Sequence, residues 1–279
     1  MPTKLGQNFL EDKIIAEKIV EAADLKPSDF VIEIGPGKGI LTEELAKRAK
    51  KIIAIEIDEK LVDYLKKKFS NQKNIEIIND DILKTNLSKL ITNYKLSGYA
   101  RSGEARQITN YKIIANLPYY ITSPIVRLFL ETEYPPQEMI LMVQKEVAER
   151  IVAPPGKMSI LSVSIQYYAK PEILFYVNKE SFNPVPKVDS AVIKITCNQQ
   201  LTTHNKENEK FFRVIRAGFC ARRKTLINNL SNSLQLDKKE VQEKIKAAGI
   251  LPTARAQELS IEDWKKLCST LHHNFCQDK

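Results

Sequence analysis

"FVIEIGPGKGILTEELAKRAKKIIAIEID", residues 30–58, contains the pattern from which the rest of the fold can be read. Residues 30–35 are apolar apart from Glu33 and read as a buried strand. Gly35, Gly37 and Gly39 follow, and then Leu41, Leu45 and Ala49 recur at helical spacing across 39–50. A second apolar run, 51–58, reads as a strand that closes on Glu56 and Asp58. Strand, glycine turn, helix and strand in this order make a right-handed parallel crossover.

The alternation continues outward. "EKLVDYLKKKF" (59–69) reads as a helix, and "IEII" (75–78), "KIIAN" (112–116) and "EMILMVQ" (138–144) read as strands. Their near-continuous apolar character implies a sheet covered on both faces. "EILFYV" (172–177) and "SAVIKITC" (190–197) read as a closing antiparallel hairpin. The polar stretch "NQQLTTHNKENEK" (198–210) reads as a linker. Beyond it, "FFRVIRAGFCARRKTLINNL", "KKEVQEKIKAAG" and "SIEDWKKLCSTLHH" are helical patterns. The expected architecture is α/β, a doubly wound, Rossmann-like sheet over residues 1–203 with a small all-helical domain over 204–279. In such a sheet, ligands bind outside the carboxyl ends of the strands.

Composition agrees with a globular chain of 279 residues, 43% of them hydrophobic. Lys and Arg outnumber Asp and Glu by 43 to 34, a balance that suits a polyanionic partner. Cys197, Cys220, Cys268 and Cys276 show no C-x-x-C spacing, so neither a zinc site nor a redox motif is expected. No apolar run reaches the roughly 18 residues of a membrane helix, and "MPTKLGQNFLEDK" has no long apolar core. A cytoplasmic protein is expected.

The strand ends carry the chemistry. The glycines let the backbone turn tightly and approach a ligand, and the helix after them presents its positive end. Glu56 lies 21 positions beyond Gly35, an offset at which an acid can hold the hydroxyls of a ribose. The G-x-G-x-G spacing, preceded by Glu33, resembles the first motif of S-adenosylmethionine-dependent methyltransferases rather than the G-x-G-x-x-G of dinucleotide enzymes. In "NDDIL", Asp81 suits a hydrogen bond from the adenine amino group of that cofactor; a solvated turn explains Asp80 and Asp81 equally well.

The fourth strand ends in Asn116-Leu117-Pro118-Tyr119, which resembles the (N/D/S)-P-P-(Y/F) type of motif in methyltransferases acting on exocyclic amino groups of bases. An adenine amino nitrogen is a poor nucleophile because its lone pair is delocalised into the ring. Two acceptors, the Asn116 side-chain oxygen and the Pro118 carbonyl, hold the two amino hydrogens and aim the lone pair, so catalysis is mostly positioning. Tyr119 offers a stacking face to a base splayed out of its helix. Phe182, ahead of the rigid Pro184–Pro186 segment, offers a second face, or is a core residue at a strand entry.

Taken together, "LGQNFL" (5–10), "VIEIGPGKGILTEEL" (31–45), "AIEID" (54–58), "ANLPYYITSPIV" (115–126), "MVQKEVAERI" (142–151), "FNPVPKVDSAVI" (182–193) and "RRKTLINNL" (222–230) resemble the ribosomal RNA adenine dimethyltransferase family, the KsgA-type enzymes. The resemblance runs from end to end. It implies a seven-stranded class I methyltransferase sheet, S-adenosylmethionine as methyl donor without a metal, and dimethylation of N6 on two adjacent adenosines near the 3′ end of small-subunit (16S) rRNA. It also implies a monomer acting on an assembling small subunit. Asn8, Leu10, Gly35, Gly37, Glu56, Asp81 and Asn116 are then the expected cofactor contacts, and Asn116, Leu117, Pro118, Tyr119 and Phe182 the expected catalytic set.

In the helical domain, Phe212, Ile215, Phe219, Leu226 and Leu230 are read on one helical face and Arg213, Arg216 and Arg223 on another. Arg222, Arg223 and Lys224 are the expected RNA phosphate contacts. The alternatives are a large-subunit rRNA adenine methyltransferase of the macrolide-resistance type and a catalytically dispensable assembly factor on the same fold. "FNPVPKVDSAVI" and "RRKTLINNL" favour the small-subunit enzyme over the first, and the intact strand-end motifs argue against the second.

The segment before the fourth strand departs from the family pattern. "ITNYK" occurs at 91–95 and again at 108–112, with the Gly- and Ser-containing "LSGYARSGEARQ" between the copies. Removing 96–112 joins "SKLITNYK" to "IIANLPYY", so about 17 residues read as an insertion with no part in catalysis. Its removal is expected to leave stability and activity near normal, because loop closure entropy changes slowly with length.

Overall fold

The structure, a computed structural model, describes residues 8–94, 97–99, 107–198 and 206–275. The chain divides into two compact units, at Glu149/Arg150, at Tyr167/Tyr168 and between Thr202 and Thr203. Residues 150–167, inside the span 1–203 expected for the first domain, cluster with the helices.

The first unit begins with β1 (Phe9–Leu10), α1 (Lys13–Ala22), β2 (Phe30–Ile34), α2 (Ile40–Ala46), β3 (Lys51–Glu56), α3 (Glu59–Lys68), β4 (Ile75–Asn79) and α4 (Leu87–Asn93). A short hairpin, β5 (Ser97–Tyr99) with β6 (Gln107–Thr109), precedes β7 (Tyr111–Asn116), α5 (Thr122–Leu130), β8 (Glu138–Gln144) and α6 (Lys145–Ile151). Its start and stop signals are local. Asp12 and Asp58 accept hydrogen bonds from the first free N–H groups of α1 and α3. After α7 (Ile160–Tyr168) come β9 (Ala169–Val177), β10 (Phe182–Asn183) and β11 (Ser190–Cys197).

Seven strands form one mixed sheet in the order β4-β3-β2-β7-β8-β11-β9. The first five pair in parallel, whereas β11 is antiparallel to both β8 and β9. The closing hairpin therefore exists, with β11 tucked inside β9. Val31, Ile32, Ile52, Ile53, Ile113, Ile114, Ile140 and Leu141 are all fully buried, as expected of a sheet covered on both faces. β1 and β10 make a separate two-residue ribbon, Leu10 opposite Phe182.

The second unit holds α8 (Lys206–Gly218), α9 (Leu226–Leu234), α10 (Lys238–Ala247) and α11 (Ile261–Phe275) around Val214, Ile215, Leu226, Leu230, Val241, Ile245, Trp264 and Leu267. Two expectations are corrected here. Residues 206–210 of the expected linker are helical, the first turns of α8, while 199–205 lie outside the described residues. The expected single helical face over 211–230 is broken. α8 stops at Gly218, where a Cβ would come within 2.5 Å of the Trp264 ring. The buried Asn229 amide donates to the Gly218 carbonyl at 2.6 Å and the Ala221 carbonyl at 3.0 Å, which stabilises the turn instead of a further helical turn. Ile215, Leu226 and Leu230 still reach one core, with Phe212 and Phe219 packed at its edge. Arg222, Arg223 and Lys224 are exposed in the turn. Among the described residues no helix is long and apolar enough to cross a membrane.

Residues 91–94 of the first "ITNYK" and the second copy, 108–112, adopt different structures. In the first, Ile91 is fully buried on α4 and the Tyr94 hydroxyl bonds the Glu76 carboxylate. In the second, Tyr111 is fully buried on β7 and donates to the Tyr134 carbonyl at 2.6 Å, while the Lys112 ammonium lies 2.8 Å from Glu138. The expectation that 96–112 is dispensable therefore depends on the retained copy taking the places of Tyr111 and Lys112; residues 100–106 lie outside the described residues. Deleting 96–112 forces one copy to serve both places and removes at least one large buried side chain, worth about 2–5 kcal/mol. Replacing only 97–109 with a four-residue Gly-Ser linker keeps both anchors. Thermal melts should show this second variant near the parent and the deletion well below it; equal melting of the two would show that the copies are interchangeable.

Candidate active site

The carboxyl ends of β2, β3, β4 and β7 open on one cleft of about 250 Å³. Asn8, Leu10, Gly35, Gly37, Glu56, Asp81, Asn116, Leu117, Pro118, Tyr119 and Phe182 all line it. The sequence-predicted cofactor and catalytic residues are thus brought together, from positions up to 174 residues apart. Arg222, Arg223 and Lys224 belong to the helical unit.

The glycine loop is held at both ends. Gly35 N–H continues the ladder to the Ile55 carbonyl at 2.9 Å, and the Lys68 ammonium reaches the Lys38 carbonyl at 3.2 Å. Gly35, Gly37 and Gly39 all take left-handed backbone angles. At Gly37 the demand is double: φ is +58°, and a Cβ would stand 2.9 Å from the Phe9 ring. The N-terminal segment therefore lies directly against the loop. Lys38 bridges the two, with its ammonium 5.2 Å from the Phe9 ring centre and 2.8 Å from the Glu11 carboxylate.

Glu56 is 3% exposed. Its Oε1 accepts the N–H groups of Ile57 at 2.9 Å and Asp58 at 3.1 Å, and its Oε2 accepts Gly37 N–H at 3.2 Å. Burial nevertheless pushes its pKa up, because it outweighs these three bonds. A carboxylate accepts about four hydrogen bonds, so one site remains, on Oε2. Asp81 sits in the turn after β4: Oδ1 accepts Leu83 N–H at 3.1 Å and Oδ2 faces Lys84 at 3.2 Å. It is both a turn residue and a wall of the cleft. Ile57 and Leu83, half exposed, line the cleft on the same side.

At the end of β7, Leu117 N–H donates to the Met142 carbonyl at 3.1 Å and locks the strand end against β8. Among the described residues the Asn116 amide has no hydrogen-bond partner, so its oxygen is available. The Pro118 carbonyl accepts Ile121 N–H at 3.1 Å and keeps one lone pair. Tyr119 begins a 3₁₀ turn, Tyr119–Ile121, with its hydroxyl 3.0 Å from Ser190 Oγ. Phe182 touches the cleft but is 3% exposed and packs in the core with Leu10, Val177 and Val192.

Glu33 has no role in the sequence motifs beyond preceding the glycines. It is 1% exposed, lines the cleft, and among the described residues its Oε2 has no hydrogen-bond partner. Burial pushes its pKa up to about 8; the Thr42 hydroxyl opposes this and the nearby Glu56 adds to it. An acid inside an otherwise apolar strand was the available signal. The residues of the cleft fit a nucleoside with a cationic tail: an acceptor for a ribose hydroxyl at Glu56, apolar walls at Ile57 and Leu83, and an orphaned carboxyl at Glu33 for positive charge.

Comparison with known proteins decides the family. The family model described as "Ribosomal RNA adenine dimethylase" matches residues 1–273. The chain belongs to the ribosomal RNA adenine dimethylase family. It is 45% identical over 272 residues to the "Ribosomal RNA small subunit methyltransferase A" of Dehalococcoides mccartyi (strain BAV1), covering 98% of this chain and 89% of that protein. The protein of the same name from Moorella thermoacetica is 42% identical over 270 residues, 96% of this chain and 91% of its own length. Among solved structures, a dimethyladenosine transferase from Plasmodium falciparum superposes with a TM-score of 0.77 at 26% identity, covering 96% of this chain and 98% of that one. The 23S rRNA methyltransferase ErmE superposes with a TM-score of 0.71 at 28% identity, covering 95% and 100%. The α/β class and the seven-stranded sheet expected for this family are the ones observed.

Glu33 gives a testable pH dependence. Its pKa lies near 8 in the fold and near 4.5 unfolded, so the native state holds the proton between those values. Stability from this group is fully present below about pH 4.5 and is lost as pH rises through about 8. Glu33→Gln should therefore melt above the parent at pH 8.5, and its stability–pH slope should differ by about one proton between pH 5 and 8. Superimposable slopes would assign the titration elsewhere.

Proposed function

We propose that the cleft binds S-adenosylmethionine and an extruded adenine, and that the protein dimethylates N6 of two adjacent adenosines near the 3′ end of 16S rRNA during small-subunit assembly. The observation that carries this reading is the pair of acceptors at the end of β7: the free Asn116 oxygen and the remaining lone pair of the Pro118 carbonyl. The relatives named for the small ribosomal subunit, at 42–45% identity, support that substrate over the large-subunit rRNA named for the 28%-identical structure.

Bound at the glycine loop, S-adenosylmethionine supplies an electrophilic methyl group on a sulfonium. Gly37 and Glu56 order its nucleoside, Asp81 meets the adenine end, Glu33 faces the positive charge, and Asn8 and Leu10 close the site from the N-terminal segment. Asn116 and Pro118 accept the two amino hydrogens of the target. As the nitrogen–methyl bond forms and the methyl–sulfur bond breaks, leaving a neutral thioether, the nitrogen becomes positive and its hydrogens more acidic. The hydrogen bonds to Asn116 and Pro118, two in the first transfer and one in the second, therefore strengthen in the transition state, and one hydrogen then leaves as a proton to solvent. Tyr119 stacks on the base, Leu117 fixes the strand end beneath it, and Phe182 backs the opposite wall. No strong general base is needed, because the nitrogen acidifies only once methylated. Arg222, Arg223 and Lys224 reach rRNA phosphates.

Mass spectrometry of 16S rRNA from cells lacking the protein should show two unmodified adenosines, restored to dimethyladenosine by the intact gene. In vitro, intact small subunits should be methylated and protein-free large-subunit rRNA should not; the reverse would support the large-subunit alternative. Asn116→Ala should lower turnover about 100-fold or more while S-adenosylmethionine binding by calorimetry is largely kept. Equal loss of both would place Asn116 in cofactor binding alone.

The basic turn has its own test. Neutralising Arg222, Arg223 and Lys224 together should weaken subunit binding and flatten its log–log salt dependence by roughly one unit for each phosphate no longer neutralised. An unchanged slope would place these three side chains in solvent.

A further inference from the structure

We propose that Ser190 is the positioning residue for Tyr119, holding by one part-buried hydrogen bond the aromatic face on which the target base stacks. This rests on the reading above that Tyr119 contacts the base. Ser190 opens β11 and is fully buried, with Gln144 of β8 on one side and Val177 of β9 on the other. The residues after it, Ala191, Val192 and Ile193, are fully buried and apolar. A hydroxyl in such a place is unfavourable unless it is hydrogen-bonded. Among the described residues its side chain has one partner, the Tyr119 hydroxyl at 3.0 Å.

The bond fixes the far end of the tyrosine. At the near end, the turn is closed by Ile121 N–H on the Pro118 carbonyl. A side chain held at both ends of its two rotatable torsions presents a ring plane that needs no ordering when the base arrives. Tyr120, the next residue, is 62% exposed and has no such tether among the described residues. The bond also gives β11 a place in the chemistry. β8 lies between β7 and β11, and because β11 runs antiparallel its first residue falls at the end of the sheet where β7 terminates.

A double-mutant cycle tests this on small subunits that lack the modification. Ser190→Ala and Tyr119→Phe break the same bond from opposite ends, so each should lower kcat/KM for methyl transfer by about 3- to 10-fold. Calorimetric affinity for S-adenosylmethionine should be unchanged in both. The double variant should be no slower than the slower single variant, because the one interaction can be removed only once. Multiplying effects, or a full rate in Ser190→Ala beside a slow Tyr119→Phe, would overturn the proposal. If Ser190→Ala fails to fold, Tyr119→Phe leaves β11 untouched, and a parental rate there overturns it as well. Tyr119→Ala separates the two readings: a parental rate in that variant refutes base stacking itself, whatever Ser190 does.

Discussion

The register of β7 is the constraint on which the site depends. Every residue from Tyr111 to Ala115 is buried, so the strand is covered on both faces. A slip by one residue would expose no apolar face, and the usual hydrophobic penalty that fixes register is weak here. Lys112 supplies what the pattern lacks. Its ammonium lies 2.8 Å from Glu138, the residue opposite it on β8, and 3.3 Å from Asp29, and donates to the Ala23 carbonyl at 2.8 Å. Burial opposes its charge, but Glu138 and Asp29 outweigh burial and keep its pKa above the ordinary lysine value. Buried ion pairs add little net stability, but stranding one partner costs about 3–5 kcal/mol. A slipped β7 would strand Lys112, while Glu138 would keep Lys194 at 2.9 Å, and would turn Asn116 to the other face of the sheet.

Closure of the cleft depends on contacts of a different range. β1 and β10 contribute two residues each, yet they bring Asn8 and Leu10 beside Phe182 across most of the first unit's sequence. So short a ribbon is not stable alone. It is held by side chains: Ser181 Oγ donates to Asp12 at 3.1 Å, and the Asn183 amide donates to Glu11 at 3.2 Å. Glu11 also accepts from Lys38 on the glycine loop. The N-terminal segment thus couples the glycine loop on one side of the cleft to the Phe182 segment on the other.

What the sequence made legible follows from these ranges. The parallel strands were readable because each is a near-continuous apolar run, and Gly35, Glu56, Asp81 and Asn116 were readable because they stand where those runs stop. The β1–β10 ribbon was not, since two-residue strands have no period. Ser190 was not, because a serine before an apolar run cannot be told from a strand flank. The break after Gly218 was hidden because Phe212, Ile215, Phe219, Leu226 and Leu230 stay in helical phase across it; the glycine was the one local cue. The repeated "ITNYK" shows the limit of local reading, since Tyr94 of the first copy caps a helix against Glu76 while Tyr111 and Lys112 of the second begin a strand beside Glu138.

The polar groups of the cleft share one design. Glu56 uses three of its acceptor sites on backbone N–H groups, and Pro118 uses one lone pair on Ile121. Tyr119 uses its hydroxyl on Ser190. Each is tied to the scaffold by part of its bonding capacity and keeps the remainder, a lone pair or a ring face, which is the part the proposed reaction uses. Orientation is then set during folding, so the proposed reaction would need little reorganisation. Glu33 is the exception: among the described residues its Oε2 has no partner, and burial holds the proton on the carboxyl. A cationic ligand favours the ionised form that burial opposes, so binding of such a ligand and release of the Glu33 proton are linked.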